Sequence, residues 1–395
     1  MKTQAQRWPV HAEDEIQAVT DVLNSGSTNY WTGKQCREFE NEFAAYVGTQ
    51  YAVALMNGTV ALEAALYALD VGPGDEVITT CRTFIASASC IVMRGATPVI
   101  ADIDVTTQNI TAETIQACLT PRTKAIIVVH LGGWPADMPA IMALASQHNI
   151  KVIEDCAQAH GAMIANKQVG SWGHIAAFSF CQDKIITTGG EGGMVTTNDK
   201  DVWQKVWSFK DHGKNYDSVY HQEHPPGFRW LHDSFGTNWR MTEMQAAIGR
   251  VQLKKLPAWT AIRNRNAEIL NNHFKDHAGL RVTIPPEGLT HAYYKYYVFV
   301  RTENLQEGWT RDRIIQEVTA SSVTCMVGSC SDIQLEQAFQ AASCNISKVP
   351  NAKLVGETCL LFLVDPTQSE AAMHKAAQAL LNVLESALKA CSKCA

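Results

Sequence analysis

Long hydrophobic runs are missing from this 395-residue chain: nowhere do 18 apolar residues follow one another, so no membrane-spanning helix is expected. The opening Met-Lys-Thr-Gln leads into no apolar signal region either. Positive charge is also scarce. Lys and Arg number 33 against 39 Asp and Glu, a formal net charge of −6, and no basic stripe interrupts the sequence. That argues against a partner made of nucleic acid or anionic membrane. Internal repeats, low-complexity tracts and charge blocks are absent. The twelve cysteines are scattered instead of forming a framework, and Cys391 and Cys394 make a lone CxxC without a second pair, read as a solvated tail. Reduced thiols in a cytoplasmic protein are the expectation. Thirteen histidines show no ligand spacing, so no metal site is expected.

Apolar residues make up 46% and charged ones 18%, ordinary for a soluble globular enzyme. The length exceeds what one core usually serves, so two packed units are expected, a larger one over residues 1–250 and a smaller over 251–395. Near-continuous apolar segments (TPVIADI, KAIIVVH, KVIEDC and residues 174–180) alternate with helical patterns. Such alternation predicts an α/β fold with a parallel sheet covered on both faces, its ligands beyond the carboxyl ends of the strands. An amphipathic helix over 11–25 places Ile16, Val19, Val22 and Leu23 on one face, and a second runs from Cys36 to Tyr46. Residues 212–235 have no period and read as a long loop. A helix opening near Thr242 is expected to end at Pro257. Beyond it the smaller unit holds helices over 258–277, 309–319 and 370–390 and a strand over 293–301.

The chemistry concentrates in FSFCQDKIITTGGEGG, residues 178–193. An apolar strand ends in a polar loop with one lysine, Lys184, followed at once by a glycine-dense turn. Partial desolvation there favours the neutral amine that imine formation needs, although a plain surface lysine fits the same letters. Upstream, Asn57-Gly58-Thr59 joins a strand to an apolar helix, which makes an anion site or merely an N-cap. Asp155 ends a buried-looking strand, where an acid needs a partner or caps the next helix.

Asp155, Gln158, Ser179, Lys184 and GEGG, together with GTNWRMTEMQAAIG at 236–249, resemble in order and spacing the DegT/DnrJ/EryC1/StrS family of sugar aminotransferases. The resemblance runs from about residue 10 to the C-terminus. It implies a fold-type I enzyme using pyridoxal 5′-phosphate (PLP), with a mostly parallel seven-stranded sheet between helices and a smaller C-terminal α/β domain. By the same resemblance Lys184 carries the cofactor and moves the proton. Asp155 holds the pyridine nitrogen, Gln158 the ring hydroxyl, and Phe84 stacks on the ring. Gly58, Thr59 and Ser179 bind the phosphate, joined by Asn238 from the second subunit of a homodimer. Trp31, Thr32, Arg240, Tyr294 and Lys295 are implied on the substrate side. Tyr294 and Lys295 depart from the histidine and apolar residue of many relatives, and residues 328–339 lack a common proline-histidine segment. The implied reaction moves an amino group from L-glutamate to a nucleotide-linked keto-sugar, here a UDP-linked 4-keto-6-deoxy-N-acetylhexosamine. GDP- or dTDP-linked 4-keto sugars, 3-keto sugars and keto-inositols remain alternatives. A PLP-dependent dehydratase is disfavoured because those members carry histidine at the Lys184 position. A PLP-binding regulator and a plain amino-acid aminotransferase are the other readings.

Overall fold

A computed structural model describes residues 7–341 and 347–388. Seven strands build the main sheet: β1 (Tyr51–Leu55), β2 (Glu76–Thr80), β3 (Thr97–Ala101), β4 (Thr123–Val129), β5 (Lys151–Asp155) and, after the hairpin β6 (Met163–Ile164) and β7 (Lys167–Gln168), β8 (Ile175–Ser179) and β9 (Gly193–Thr197). Their spatial order is β1-β9-β8-β5-β4-β2-β3, and β9 alone runs against the other six. The expected mostly parallel sheet is therefore present. Alternation along each strand feeds two cores. Ala54, Ala176 and Phe178 face one side, while Val53, Leu55, Ile175 and Ala177 face the other. Burial on both faces is why these strands read as nearly unbroken apolar runs.

Helix α1 (Glu13–Ser25) and α2 (Gln35–Val47) lie against a 32-residue helix, Glu243–Phe274. Pro257 sits inside that helix and does not end it. Proline in a helix interior costs about 3 kcal/mol. Here Leu253 and Leu256 are buried in the core on the preceding turn, and Lys255 pairs with Asp14 and Glu15 of α1, so packing holds the helix through the break. The expected division near residue 250 falls within this helix, whose later residues Ala267, Leu270 and Phe274 enter a separate core. In α1 the predicted apolar face is only partly used. Val22 is buried beside Glu15, whereas Ile16 and Leu23 remain 52% and 56% exposed. Residues 212–235 are not wholly irregular, since Tyr216–Tyr220 forms a short helix.

The second sheet comprises β10 (Leu280–Val282), β12 (Tyr296–Val300), β14 (Cys359–Phe362) and β13 (Cys325–Met326), in that order and antiparallel throughout. Strand β11 (Leu289–Thr290) pairs with β6, tying the chain before β12 to the main body. The expected strand over 293–301 is shorter, and the C-terminal helix ends at Ala387. Cys391 and Cys394 lie outside the described residues, and the nine described cysteines are free thiols.

Glu154 shows how the sheet is fixed from within. It is fully buried, and Oε1 accepts the Trp172 and Gly173 amides while Oε2 accepts Gly170 and His130 Nε2. His130 Nδ1 accepts the Ala136 amide at 3.0 Å, so its proton resides on Nε2 and points at the carboxylate. Cys156 joins these two in a buried group with metal-ligand atoms, unanticipated from the histidine spacing. His130 and Glu154 are, however, already committed to each other and to backbone amides, and burial pushes the Cys156 thiol well up. Burial also works against Glu154's charge, but His130 and the backbone donors hold its carboxyl below the ordinary value of 4.5. A depressed folded value means this stabilisation is complete above pH 4.5 and disappears as pH falls through the folded value. Glu154→Gln, which turns an NH₂ toward donors, is expected to lose about 2–4 kcal/mol in chemical denaturation at pH 7. The variant's deficit should shrink in acid as wild type loses the same carboxylate.

Candidate active site

Five strand ends converge on one cavity of about 550 Å³. β1 delivers Asn57, Gly58 and Thr59, β2 leads to Thr83 and Phe84, and β4 contributes Val129. β5 supplies Asp155 with Gln158 close behind, and β8 supplies Ser179. Lys184 and Glu191 enter from the loop between β8 and β9. This is where ligands of open α/β sheets sit, since loops at the carboxyl ends splay apart.

Asn57 caps α3 (Gly58–Ala68) by accepting the Val60 amide at 3.0 Å. The remaining first-turn N–H groups of such a helix lack intrahelical partners and carry the positive end of its dipole. A Cβ on Gly58 would stand 2.6 Å from Cβ of Ser179. Glycine is therefore what lets the helix start touch the end of β8. Ser179 Oγ accepts the Cys181 amide at 3.3 Å and borders the same cavity.

Asp155 is buried at the cavity wall. Ser87 Oγ of α4 (Ala86–Met93) donates to it at 2.8 Å and the Ala157 amide at 3.1 Å. Among the described residues it forms no ion pair, and burial raises its carboxyl above the usual range. Gln158 Oε1 accepts the Gly132 amide at 2.8 Å, which leaves Nε2 as a donor. Phe84 is 70% exposed, so it is no core residue, and it lines the cavity. Lys184 Nζ lies 3.3 Å from Asp183 Oδ1 and 3.5 Å from the Tyr294 hydroxyl.

A second chamber of about 370 Å³ shares Thr83, Phe84, Gln158, Asp183 and Lys184 with the first. It continues to Tyr294, Lys295, Tyr297 and the segment Gly328-Ser329-Cys330. Lys295 Nζ sits 4.5 Å above the Tyr294 ring, and burial pulls its amine below the usual lysine range. Arg82, wholly buried, ties both sheets together here: it donates to Gln108 Oε1 at 3.0 Å and to the Ser329 carbonyl at 3.2 Å.

Four predicted positions line neither chamber. Trp31 stacks with Tyr220, with the Lys214 ammonium 4.1 Å above its ring. Thr32 borders a different cavity with Gly33 and Glu243. Asn238 is exposed and bridges Asp211 through the backbone, while Arg240 Nη1 donates to Asp211 Oδ1 at 2.7 Å. Conversely, Thr83, Ser87 and Asp183 were not singled out from the sequence. An acid adjoining the candidate amine was the available signal for Asp183. Nothing local marks Ser87, which meets Asp155 across 68 positions.

Known proteins add independent findings. The profile of the DegT/DnrJ/EryC1/StrS aminotransferase family matches residues 9–380. A GDP-perosamine synthase of Caulobacter vibrioides is 43% identical over 295 residues, 74% of this chain and 75% of the relative. A UDP-N-acetyl-3-dehydro-alpha-D-glucosamine 3-aminotransferase of Acidithiobacillus ferrooxidans is 43% identical over 288 residues, 72% of this chain and 73% of the relative. The solved structure of an aminotransferase from Psychrobacter cryohalolentis superposes with a TM-score of 0.95 at 53% identity, covering 97% of this chain and 99% of the other. Cavity, fold and relatives agree, and the chain belongs to the DegT/DnrJ/EryC1/StrS aminotransferase family as a PLP-dependent sugar aminotransferase.

Proposed function

We propose that the protein moves an amino group from L-glutamate to the carbonyl carbon of a nucleotide-linked 4-keto-6-deoxy sugar. The observation that carries this reading is the convergence of Asp155, Lys184 and the Gly58–Ser179 cradle on one cavity. The residues present fit PLP. Asp155 is a buried carboxylate one cation short, as a protonated ring nitrogen requires. Gln158 Nε2 is free to donate to the ring hydroxyl, and Phe84 offers its face. Gly58, Thr59 and Ser179 supply donors for a phosphate beside a helix N-terminus. Bound there, the cofactor supplies an electron sink for the pair left when a Cα–H bond breaks.

This chain's own residues do the rest. Lys184 Nζ, freed by the incoming donor, takes the proton from the donor's Cα. When the keto-sugar follows, Nζ delivers a proton to the sugar carbon that gains nitrogen. Lys295 and Tyr294 face the second chamber, where an ammonium and a phenol suit the nucleotide-linked part of the acceptor. Trp31, Thr32, Asn238 and Arg240 lie away from their own chain's chambers, which supports their serving the partner's site in a homodimer. Ile16, Leu23, Phe228, Trp230 and Phe235 are exposed and could be covered there. We further infer a place in surface-glycan (O-antigen) synthesis, in the cytoplasm, from the nucleotide-linked acceptor this reading gives it. UDP-4-keto-6-deoxy-N-acetylglucosamine is our first acceptor. GDP-4-keto-6-deoxymannose is equally supported, through the GDP-perosamine synthase relative, and a 3-keto UDP-sugar through the other.

Treating purified holoenzyme with L-glutamate should bleach the cofactor's visible band. After the donor is removed, one of the three keto-sugars should restore it, with the amino sugar confirmed by mass. Bleaching without recovery would retire these acceptors, and no bleaching would retire glutamate. Lys184→Ala should lower turnover roughly a thousandfold or more. Near wild-type rates would remove Lys184 from its role. Gly58→Ala, which forces Ser179 out of the cradle, should weaken cofactor retention about tenfold or more, roughly 1.4 kcal/mol, measured by equilibrium dialysis.

A further inference from the structure

Lys184 has two neighbours that the proton transfers as described do not use. Asp183 precedes it in the chain, and Tyr294 arrives from the segment entering β12, 110 positions away from the lysine. Asp183 divides its carboxylate between them: Oδ1 lies 3.3 Å from Lys184 Nζ, and Oδ2 accepts the Tyr294 hydroxyl. The Tyr294 oxygen is itself 3.5 Å from Nζ, and its ring centroid is 5.2 Å from the same nitrogen. Ammonium, carboxylate and phenol thus close a ring of contacts.

We propose that Asp183 and Tyr294 are a positioning pair that holds the released Lys184 amine in place and sets its reactivity from opposite directions. A carboxylate beside an ammonium steadies it, which helps after proton uptake and hinders before it. The Tyr294 hydroxyl occupies the second carboxylate oxygen and drains part of its charge, so the ammonium is held without being trapped. The two residues therefore pull in opposite directions. Burial and the Asp183 charge push the Tyr294 phenol far above its usual range, keeping it a donor. Partial desolvation opposes the Asp183 charge, but Lys184, the Tyr294 hydroxyl and Lys295 hold its carboxyl below the usual range. The other ionisable groups facing this ring of contacts are Lys295, Arg263, Tyr297, Asp155, His160 and Asp365. All of them stay unchanged in the test.

The inference rests on Lys184 being the cofactor lysine, so its test reads the amine and not turnover. The full chain is saturated with pyridoxamine 5′-phosphate, which leaves Lys184 unlinked, and pulsed with trace acetic anhydride at neutral pH. Acetylation of Lys184 is measured by peptide mass spectrometry against the exposed Lys353. Asp183→Asn should acetylate Lys184 about fivefold faster, and Asp183→Ser should do the same. Tyr294→Phe keeps the ring over the nitrogen but releases the carboxylate, and should slow it about threefold. The Asp183 side chain is 57% exposed, so neither change at that position threatens folding, which thermal melts would verify. Shifts of one sign in all variants, or no shift at either position, would overturn the pair. If instead Lys184→Ala kept the wild-type visible band, the cofactor-lysine reading would fail while the opposed labelling shifts could still stand.

Discussion

Two adjacent carboxylates at the end of β5 set the terms for the whole site. Successive side chains on a strand point to opposite faces, so Glu154 and Asp155 meet different surroundings. Glu154 is enclosed by three amides and a histidine N–H, a fully satisfied buried charge that pins the loop 170–173 and the His130 turn to the sheet. Among the described residues Asp155 has only a serine hydroxyl and one amide, and burial raises its carboxyl above the usual range. An uncompensated buried charge is costly. The strand therefore carries one acid that is complete and one that is a cation short, and the second faces the cavity.

Around that deficit the sheet arranges its other contributions by topology. Strands β1, β2, β4, β5 and β8 run the same way, so their carboxyl ends open on one side. The close approach of Gly58 to Ser179 brings a helix N-terminus to the same place. The smaller sheet then extends the cavity instead of merely capping it. Tyr294, Lys295 and residues 328–330 form the second chamber, and Arg82 fastens them to the loop that carries Thr83 and Phe84. The two chambers are thereby joined through Lys184, which borders both.

Much of this was legible along the chain. Lys184, Asp155, Gly58 and Thr59 lie at strand ends, where hydrophobic period, turn residues and an isolated polar group announce a site, while Gln158, Ser179 and Phe84 were legible through the family resemblance. All seven line one cavity. The central α/β sheet was legible for the same reason, because double-sided burial writes itself into composition. Local signals failed where packing overrode them. Pro257 reads as a stop, yet the core on one side and Lys255 on the other carry the helix through. Ile16 and Leu23 read as core, yet the face of α1 that packs uses Val22 and Glu15.

By itself the sequence determined the alternation of strand and helix, the lysine-bearing loop, the strand-end acid and the lack of any run of 18 apolar residues, since each is a property of neighbouring residues. Only the tertiary structure decided which distant groups meet. Ser87 on Asp155, Tyr294 on Asp183 and Arg82 on the Ser329 carbonyl join positions 68, 111 and 247 apart. It also decided that Trp31, Thr32, Asn238 and Arg240 stand outside their own chain's chambers. Such contacts depend on sheet order and on how two cores dock, and no periodicity in the chain encodes either.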